Sequence, residues 1–125
     1  PVMEQNNAIY REQSLLVQEL AEKSDCVIVG RSADYILRDK KPLRLFIYAD
    51  MESRMERCRK RAPEQEHFTD KELRRHIQDV DKRRSKYYQF FTGQTWGEKL
   101  NYDLCINTSG ANIEDLVKVI AKLVK

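Results

Sequence analysis

The chain has 125 residues, of which 41% are apolar and 34% charged, with a formal net charge of +3. That length makes at most one domain around one modest core, and no apolar run approaches the ~18 residues of a membrane span. The charge is mild for a nucleic-acid surface but uneven: residues 54–61 hold five basic side chains and residues 71–86 hold seven, a clustering that suits an anionic ligand.

Residues 6–23 have helical period, with Ile9, Leu16 and Leu20 on one face and Gln13 among them. Residues 26–29 are a continuous apolar run, as a strand covered on both faces requires. Gly30 and Arg31 break the run into a short helix over 33–38, and Pro42 closes the following turn. A second buried strand is predicted at 43–49, then a helix over 51–62 ended by Pro63. Residues 64–69 form a polar connection, and Thr69 or Asp70 caps the next helix. That helix, 70–91, has Leu73, Ile77, Val80, Tyr87, Tyr88 and Phe91 on one face. Residues 92–101, with Gly93, Trp96 and Gly97, read as an ordered loop. A third buried strand falls at 104–106, a turn at 107–112, and a closing amphipathic helix at 113–124 with Leu116, Val117, Ile120 and Leu123 inward. Strands separated by helices imply an α/β fold, with a parallel sheet and helices on both faces. The chain begins at Pro1 rather than at a methionine, which reads as a fragment.

Arg84 is the misplaced charge in this pattern. Stepping 100° per residue puts it near the middle of the apolar face of its helix, with His76 and Arg83 at one edge and Asp81 at the other. A guanidinium keeps its proton, so burying it without an anionic partner is very costly. Either its stem packs on the tyrosines with the head in water, or the face lines a cleft where Arg84 meets a phosphate.

In parallel α/β folds ligands bind beyond the carboxyl ends of the strands. The first strand is followed by Gly30-Arg31-Ser32, the second by Asp50 and a helix whose Arg54, Arg57 and Arg61 share one face. The third is followed by Thr108-Ser109-Gly110, small hydrogen-bonding residues that can border a base. Many arginines, and no nucleophile with an obvious partner base, point to phosphate chemistry, which runs largely on positioning and charge neutralisation. His67 and His76 receive no catalytic role. Cys26, Cys58 and Cys105 lack the paired spacing of a zinc site or a disulfide framework; with no signal peptide, this points to a reducing cytoplasm.

Four separated blocks, CVIVGRSADYIL, RLFIYADMESRMERCRKR, DVDKRRSKYYQFF and YDLCINTSG, resemble the cytidylate kinase-like family, a branch of the P-loop nucleoside monophosphate kinases. The resemblance runs over nearly the whole chain. It implies a three-layer α/β/α fold and ATP-dependent phosphoryl transfer to a nucleoside monophosphate, with Mg2+ accompanying ATP. It implies acceptor or phosphate binding by Gly30, Arg31, Ser32, Arg84 and Tyr87. It also implies a lid over about residues 61–72 with Arg54, Arg57 and Arg61 serving the ATP phosphates, catalytic roles for Arg57 and Arg83, and an ATP-base loop at Thr108 and Ser109. No metal ligands are assigned within the chain, and no membrane or nucleic-acid partner is implied.

The chain departs from the family in two places. Ser32 stands where the family carries a carboxylate after Gly-Arg, and Val80, Arg84 and Tyr87 stand where it carries other Arg and Asp residues that hold the cytidine nucleotide. Nothing matches G-x-x-x-x-G-K-[ST], the loop that cradles phosphates, nor the strand before it. The chain therefore reads as the C-terminal two-thirds of such a kinase. The alternatives are a non-catalytic nucleotide-binding or interaction domain, and, more weakly, a nucleic-acid binder using Lys82, Arg83, Arg84 and Lys86 beside Tyr87, Tyr88 and Phe90. Two structural expectations follow. Residues 65–69 should be mobile, and Arg31, Arg57, Arg83 and Arg84 should converge on one anion site, with Asp81 as a nearby carboxylate.

Overall fold

Helix α1 spans Val2–Lys23 in the computed structural model, which describes residues 2–62 and 67–124. The chain divides into two units, residues 1–42 and 43–125. In the first, Val17 of α1 is buried with Ala33 and Leu37, and Ala21, Ile28 and Ile36 pack around them. The buried stripe of α1 is turned by about 100°, one residue step, from the expected one. Ile9, Leu16 and Leu20 lie largely exposed. A three-residue core offers one narrow contact line, and the small Ala33 turn fits beside Val17 and Ala21 rather than beside the leucines.

The strand expected at 26–29 does not form. Those residues have no regular secondary structure; Val27 is 93% and Val29 86% exposed, while Ile28 between them packs inward. A strand exists only through pairing, and among the described residues this run has no partner strand. Next come helix α2, Ala33–Ile36, and a 3₁₀ turn, Arg38–Lys40, dividing what was expected as one helix.

In the second unit, β1 (Leu45–Tyr48) and β2 (Leu104–Asn107) pair in parallel, in register from Leu45 opposite Leu104 to Tyr48 opposite Asn107. Helices α3 (Met51–Arg61) and α4 (Asp70–Thr92) make the crossover that a parallel pair needs. Both strands lie where expected, but Ile47, Tyr48, Leu104 and Cys105 are exposed rather than buried. A sheet of two strands cannot cover its own faces and edges, so the three-layer arrangement is not reached among the described residues. Phe46 is covered on one side by an edge-on contact with Trp96, centroids 5.3 Å apart, and by Tyr102 at 4.9 Å. This orders the 92–101 loop as expected. A Cβ on Gly97 would stand 3.3 Å from the Phe46 ring at a left-handed φ of 84°, so only glycine passes there.

Helix α1 starts four residues before its expected position, whereas α3 and α4 start at the expected residues. Asp50 caps α3 by accepting from the Ser53 amide at 2.8 Å, and Thr69 and Glu72 form a reciprocal capping box on α4. Helix α4 buries Leu73, Ile77, Tyr88 and Thr92, and ends at Gly93, φ 72°. Helix α5, Ile113–Ala121, is shorter than expected. Leu116 and Ile120 are half-buried, whereas Val117 and Leu123, expected inward, are exposed, Leu123 because it lies past the helix end.

The strand starts are clamped by Arg44 and Asp103. The carboxylate accepts from the Arg44 amide at 2.7 Å and from its guanidinium at 3.2 and 3.3 Å. These bonds from Arg44 hold the Asp103 carboxyl below its usual range. A carboxyl depressed by folding adds stability that is present above its unfolded value, near about 4, and lost as pH falls through the lower folded value. Urea midpoints are therefore expected to fall on acidification below about pH 4, and Asp103→Asn to flatten that fall. An unchanged pH dependence in the variant would show that the clamp carries none of it.

Candidate functional site

The strand tips of the second unit are tied together by hydrogen bonds. The Thr108 amide and hydroxyl both donate to the Tyr48 carbonyl, at 2.8 and 3.0 Å, joining the end of β2 to the end of β1. Asp50, the N-cap of α3, donates its amide to the Ser109 hydroxyl at 2.7 Å. Its carboxyl lies below the usual range, chiefly because it accepts from Ser53, with smaller contributions from Ser109 and the Arg57 charge. Arg57 then reaches from the second turn of α3. Nη1 donates to the Thr108 hydroxyl at 2.9 Å and Nη2 to its carbonyl at 2.6 Å. Thr108 is only 3% exposed.

Beside this bracket lies an open groove of about 270 Å³, lined by Ser53, Glu56, Arg57, Lys60, Gly110 and Ala111. It is near the lower end of ligand clefts, ~300 Å³. A larger groove of about 400 Å³ runs between α3 and α4, lined by Glu52, Met55, Glu56, Arg59, Asp70 and Arg74. Three carboxylates against two arginines disfavour an anion there. The smaller groove has two cations against one carboxylate and borders the Thr108–Ser109 loop, so it is the better candidate.

The other arginines of α3 serve the α3–α4 contact. Arg54 Nη2 meets Asp81 Oδ2 at 2.6 Å, and Arg84 Nη1 lies 3.7 Å from Asp81 Oδ1. Asp81 thus takes the place expected for a carboxylate between guanidiniums. Arg84 has the expected helical phase, but its side chain is 64% exposed rather than set in a cleft. The same stripe buries Leu73 and Ile77, three and two turns earlier, and Tyr88, one turn later. Arg83 and Arg61 are exposed and make no hydrogen bond or ion pair among the described residues. The half-buried Tyr87 ring packs on Phe91, centroids 4.7 Å apart.

Residues 63–66 of the expected lid lie outside the described residues, and with them the first two of the five residues expected to be mobile. Its described end is anchored. Arg59 donates to the Phe68 carbonyl at 3.1 Å and meets Asp70 at 2.7 Å, and the Phe68 ring lies edge-on to His76 at 5.7 Å. Arg59 was not expected here: it lies off the face shared by Arg54, Arg57 and Arg61, and its pairing with Asp70 is a tertiary contact between α3 and α4.

In the first unit, Gly30, Arg31 and Ser32 have φ of 72°, 59° and 55°, three left-handed residues in a row. Glycine adopts this freely, whereas the two others cost roughly 1 kcal/mol each. Arg31 is exposed and unpaired among the described residues, and the buried Ser32 hydroxyl is the one buried side-chain polar atom among them with no hydrogen-bond partner. The expected convergence of four arginines is not what the second unit shows. Arg57 is committed to Thr108, Arg54 and Arg84 share Asp81, and Arg83 stands alone; Arg31 belongs to the other unit.

Among the described residues no helix is long and apolar enough to cross a membrane. No curated protein matches the chain. A crystal structure of an uncharacterized protein from Eubacterium ventriosum ATCC 27560 is similar, with a TM-score of 0.82 and 28% identity over 93% of this chain. The match spans 64% of that protein's length. The sequence profile of the cytidylate kinase-like family matches residues 2–110, nearly the whole chain and including every strand tip described above. The chain belongs to the cytidylate kinase-like family.

Proposed function

We propose that the whole protein is an ATP-dependent nucleoside monophosphate kinase of three-layer α/β/α architecture, acting in the cytoplasm. The observation that carries this is the groove at the strand tips, walled by the Thr108–Ala111 loop on one side and by Arg57 and Lys60 on the other. It has the size and hydrogen-bonding border for the base of ATP, on a chain of a kinase-like family. In the reaction an oxygen of the acceptor monophosphate attacks the terminal phosphorus of ATP, the bond to the bridging oxygen breaks, and ADP leaves. Arg31 is the residue for the acceptor phosphate, since it is exposed at a strained turn and makes no ion pair among the described residues. Arg61, Arg83 and Arg84 have exposed heads that can neutralise charge on the transferring group. No group of three or more His, Cys, Asp or Glu residues among the described ones fits a resident metal. Mg2+ would come with the ATP phosphates and offset their charge.

A second reading, a nucleotide-binding domain without catalysis, is favoured by one observation: the 125 residues contain no G-x-x-x-x-G-K-[ST]. A coupled ADP-release assay on the full-length protein, with ATP, Mg2+ and a panel of nucleoside monophosphates, separates the two. Turnover with at least one acceptor is expected. Nucleotide binding without turnover on any acceptor would establish the second reading.

A further inference from the structure

We propose that Arg57 is a positioning residue. It holds the loop of residues 108–111 from α3 and thereby governs how tightly the groove grips the base end of the nucleotide, rather than meeting phosphate itself. This rests on the kinase reading for its kinetic consequence, but not for its structural one.

The geometry commits both terminal nitrogens of the guanidinium to one residue. Nη1 points to the Thr108 hydroxyl at 2.9 Å and Nη2 to the Thr108 carbonyl at 2.6 Å. Thr108 is saturated in turn. Its hydroxyl accepts from Arg57 and donates to the Tyr48 carbonyl, and its carbonyl also accepts from the Ala111 amide at 3.1 Å. Thr108 is 3% exposed with Arg57 in place, so the guanidinium is part of what shields these acceptors from water. Moving Arg57 away would break two charge-assisted bonds, leaving the hydroxyl without its donor and the carbonyl with the Ala111 amide alone. Arg57 is therefore held where it is when a nucleotide arrives. The loop it holds has few other supports: Ser109 accepts from the Asp50 amide and donates its own amide to Asn107 Oδ1 at 3.0 Å, while Gly110, φ 66°, and Ala111 line the groove. Since Arg57 lines the same groove from α3, one side chain sets both the position of the loop and the width of the gap.

The test uses Arg57→Gln, Arg57→Lys, Thr108→Val and the Arg57→Gln/Thr108→Val double variant in the full-length protein. Amide hydrogen exchange without nucleotide reads the bracket directly. Exchange at Ser109 and Ala111 should speed up roughly tenfold in Arg57→Gln and in Thr108→Val relative to Ile47 of β1, with no further gain in the double variant, as expected for two ends of one interaction. Arg57→Lys, which keeps the charge but loses the fork, should fall between wild type and Arg57→Gln. In kinetics, KM for ATP should rise about tenfold in both single variants, with kcat and the acceptor KM changed less than about threefold. Two results would overturn the proposal. One is unchanged exchange at Ser109 and Ala111 in Arg57→Gln. The other is a kcat loss of about a hundredfold in Arg57→Gln with Thr108→Val at wild-type rate, the signature of an arginine on the transferring phosphoryl group. If the wild-type protein turns over no acceptor, the kinase reading fails by itself and the exchange result still decides the bracket.

Discussion

Arg31→Gly is expected to leave the fold intact and to reduce kcat/KM for the acceptor monophosphate by about a hundredfold or more, the usual cost of losing a guanidinium from a phosphate. The backbone carries the argument. Arg31 sits at φ 59° between Gly30 and Ser32, both also left-handed. A side chain there costs roughly 1 kcal/mol, and glycine removes that strain while adding a comparable 0.4–1 kcal/mol of unfolded-state entropy. The two nearly cancel. Because the Arg31 head makes no hydrogen bond or ion pair among the described residues, nothing else is lost from the folded state. Thermal midpoint and turnover should therefore separate cleanly, the first within a few degrees of wild type and the second collapsed. A large drop in thermal midpoint would show that Arg31 holds structure. Unchanged kcat/KM would remove it from the acceptor site.

The contrast between Arg31 and Arg57 shows how much of the site could be read in the sequence. Both were legible as candidate ligand residues, Arg31 after an apolar run and Arg57 on the helix that follows β1, because apolar runs and helix phase are local patterns. Their commitments were not. Arg57 and Thr108 are 51 residues apart, and no local pattern says that α3 will lean on the loop after β2. Asp81 was legible as a carboxylate near guanidiniums, since Arg84 lies three residues away on the same helix. Its stronger partner, Arg54 on α3, is a tertiary fact. The strands show the same division. Residues 45–48 and 104–107 form where apolar runs predict, because each provides the other's hydrogen-bonding edge. Residues 26–29 are equally apolar yet remain unpaired among the described residues, since composition supplies propensity but not a partner. Of the caps, Thr69 was expected; Asp50, Glu72 and Gly93 were not read as caps, although all act within four residues of themselves.

Leu73→Ala and Arg84→Met test how far the apolar stripe of α4 is a core. The two positions lie within about 20° of each other on the helix, eleven residues or three turns apart. A pattern-based reading gives them the same environment. The structure does not: Leu73 is fully buried at 0% exposure, directly after the capping box, while the Arg84 side chain is 64% exposed and, among the described residues, pairs with the Asp81 carboxylate at 3.7 Å. Leu73→Ala should cost about 2–5 kcal/mol, because a fully enclosed side chain leaves both its transfer energy and a cavity behind. Arg84→Met should fall within about 0.5 kcal/mol of wild type, since an exposed i,i+3 ion pair contributes little and the methionine keeps the apolar stem. Chemical denaturation of the two variants, with m-values compared, measures both. A cost for Arg84→Met approaching that of Leu73→Ala would mean that the arginine head is enclosed in the intact protein and that the stripe is a continuous core. A near-neutral Arg84→Met that lowers turnover would instead make Arg84 a residue whose charge faces the ligand, which is the role that its exposure at the middle of an apolar face leaves open to it.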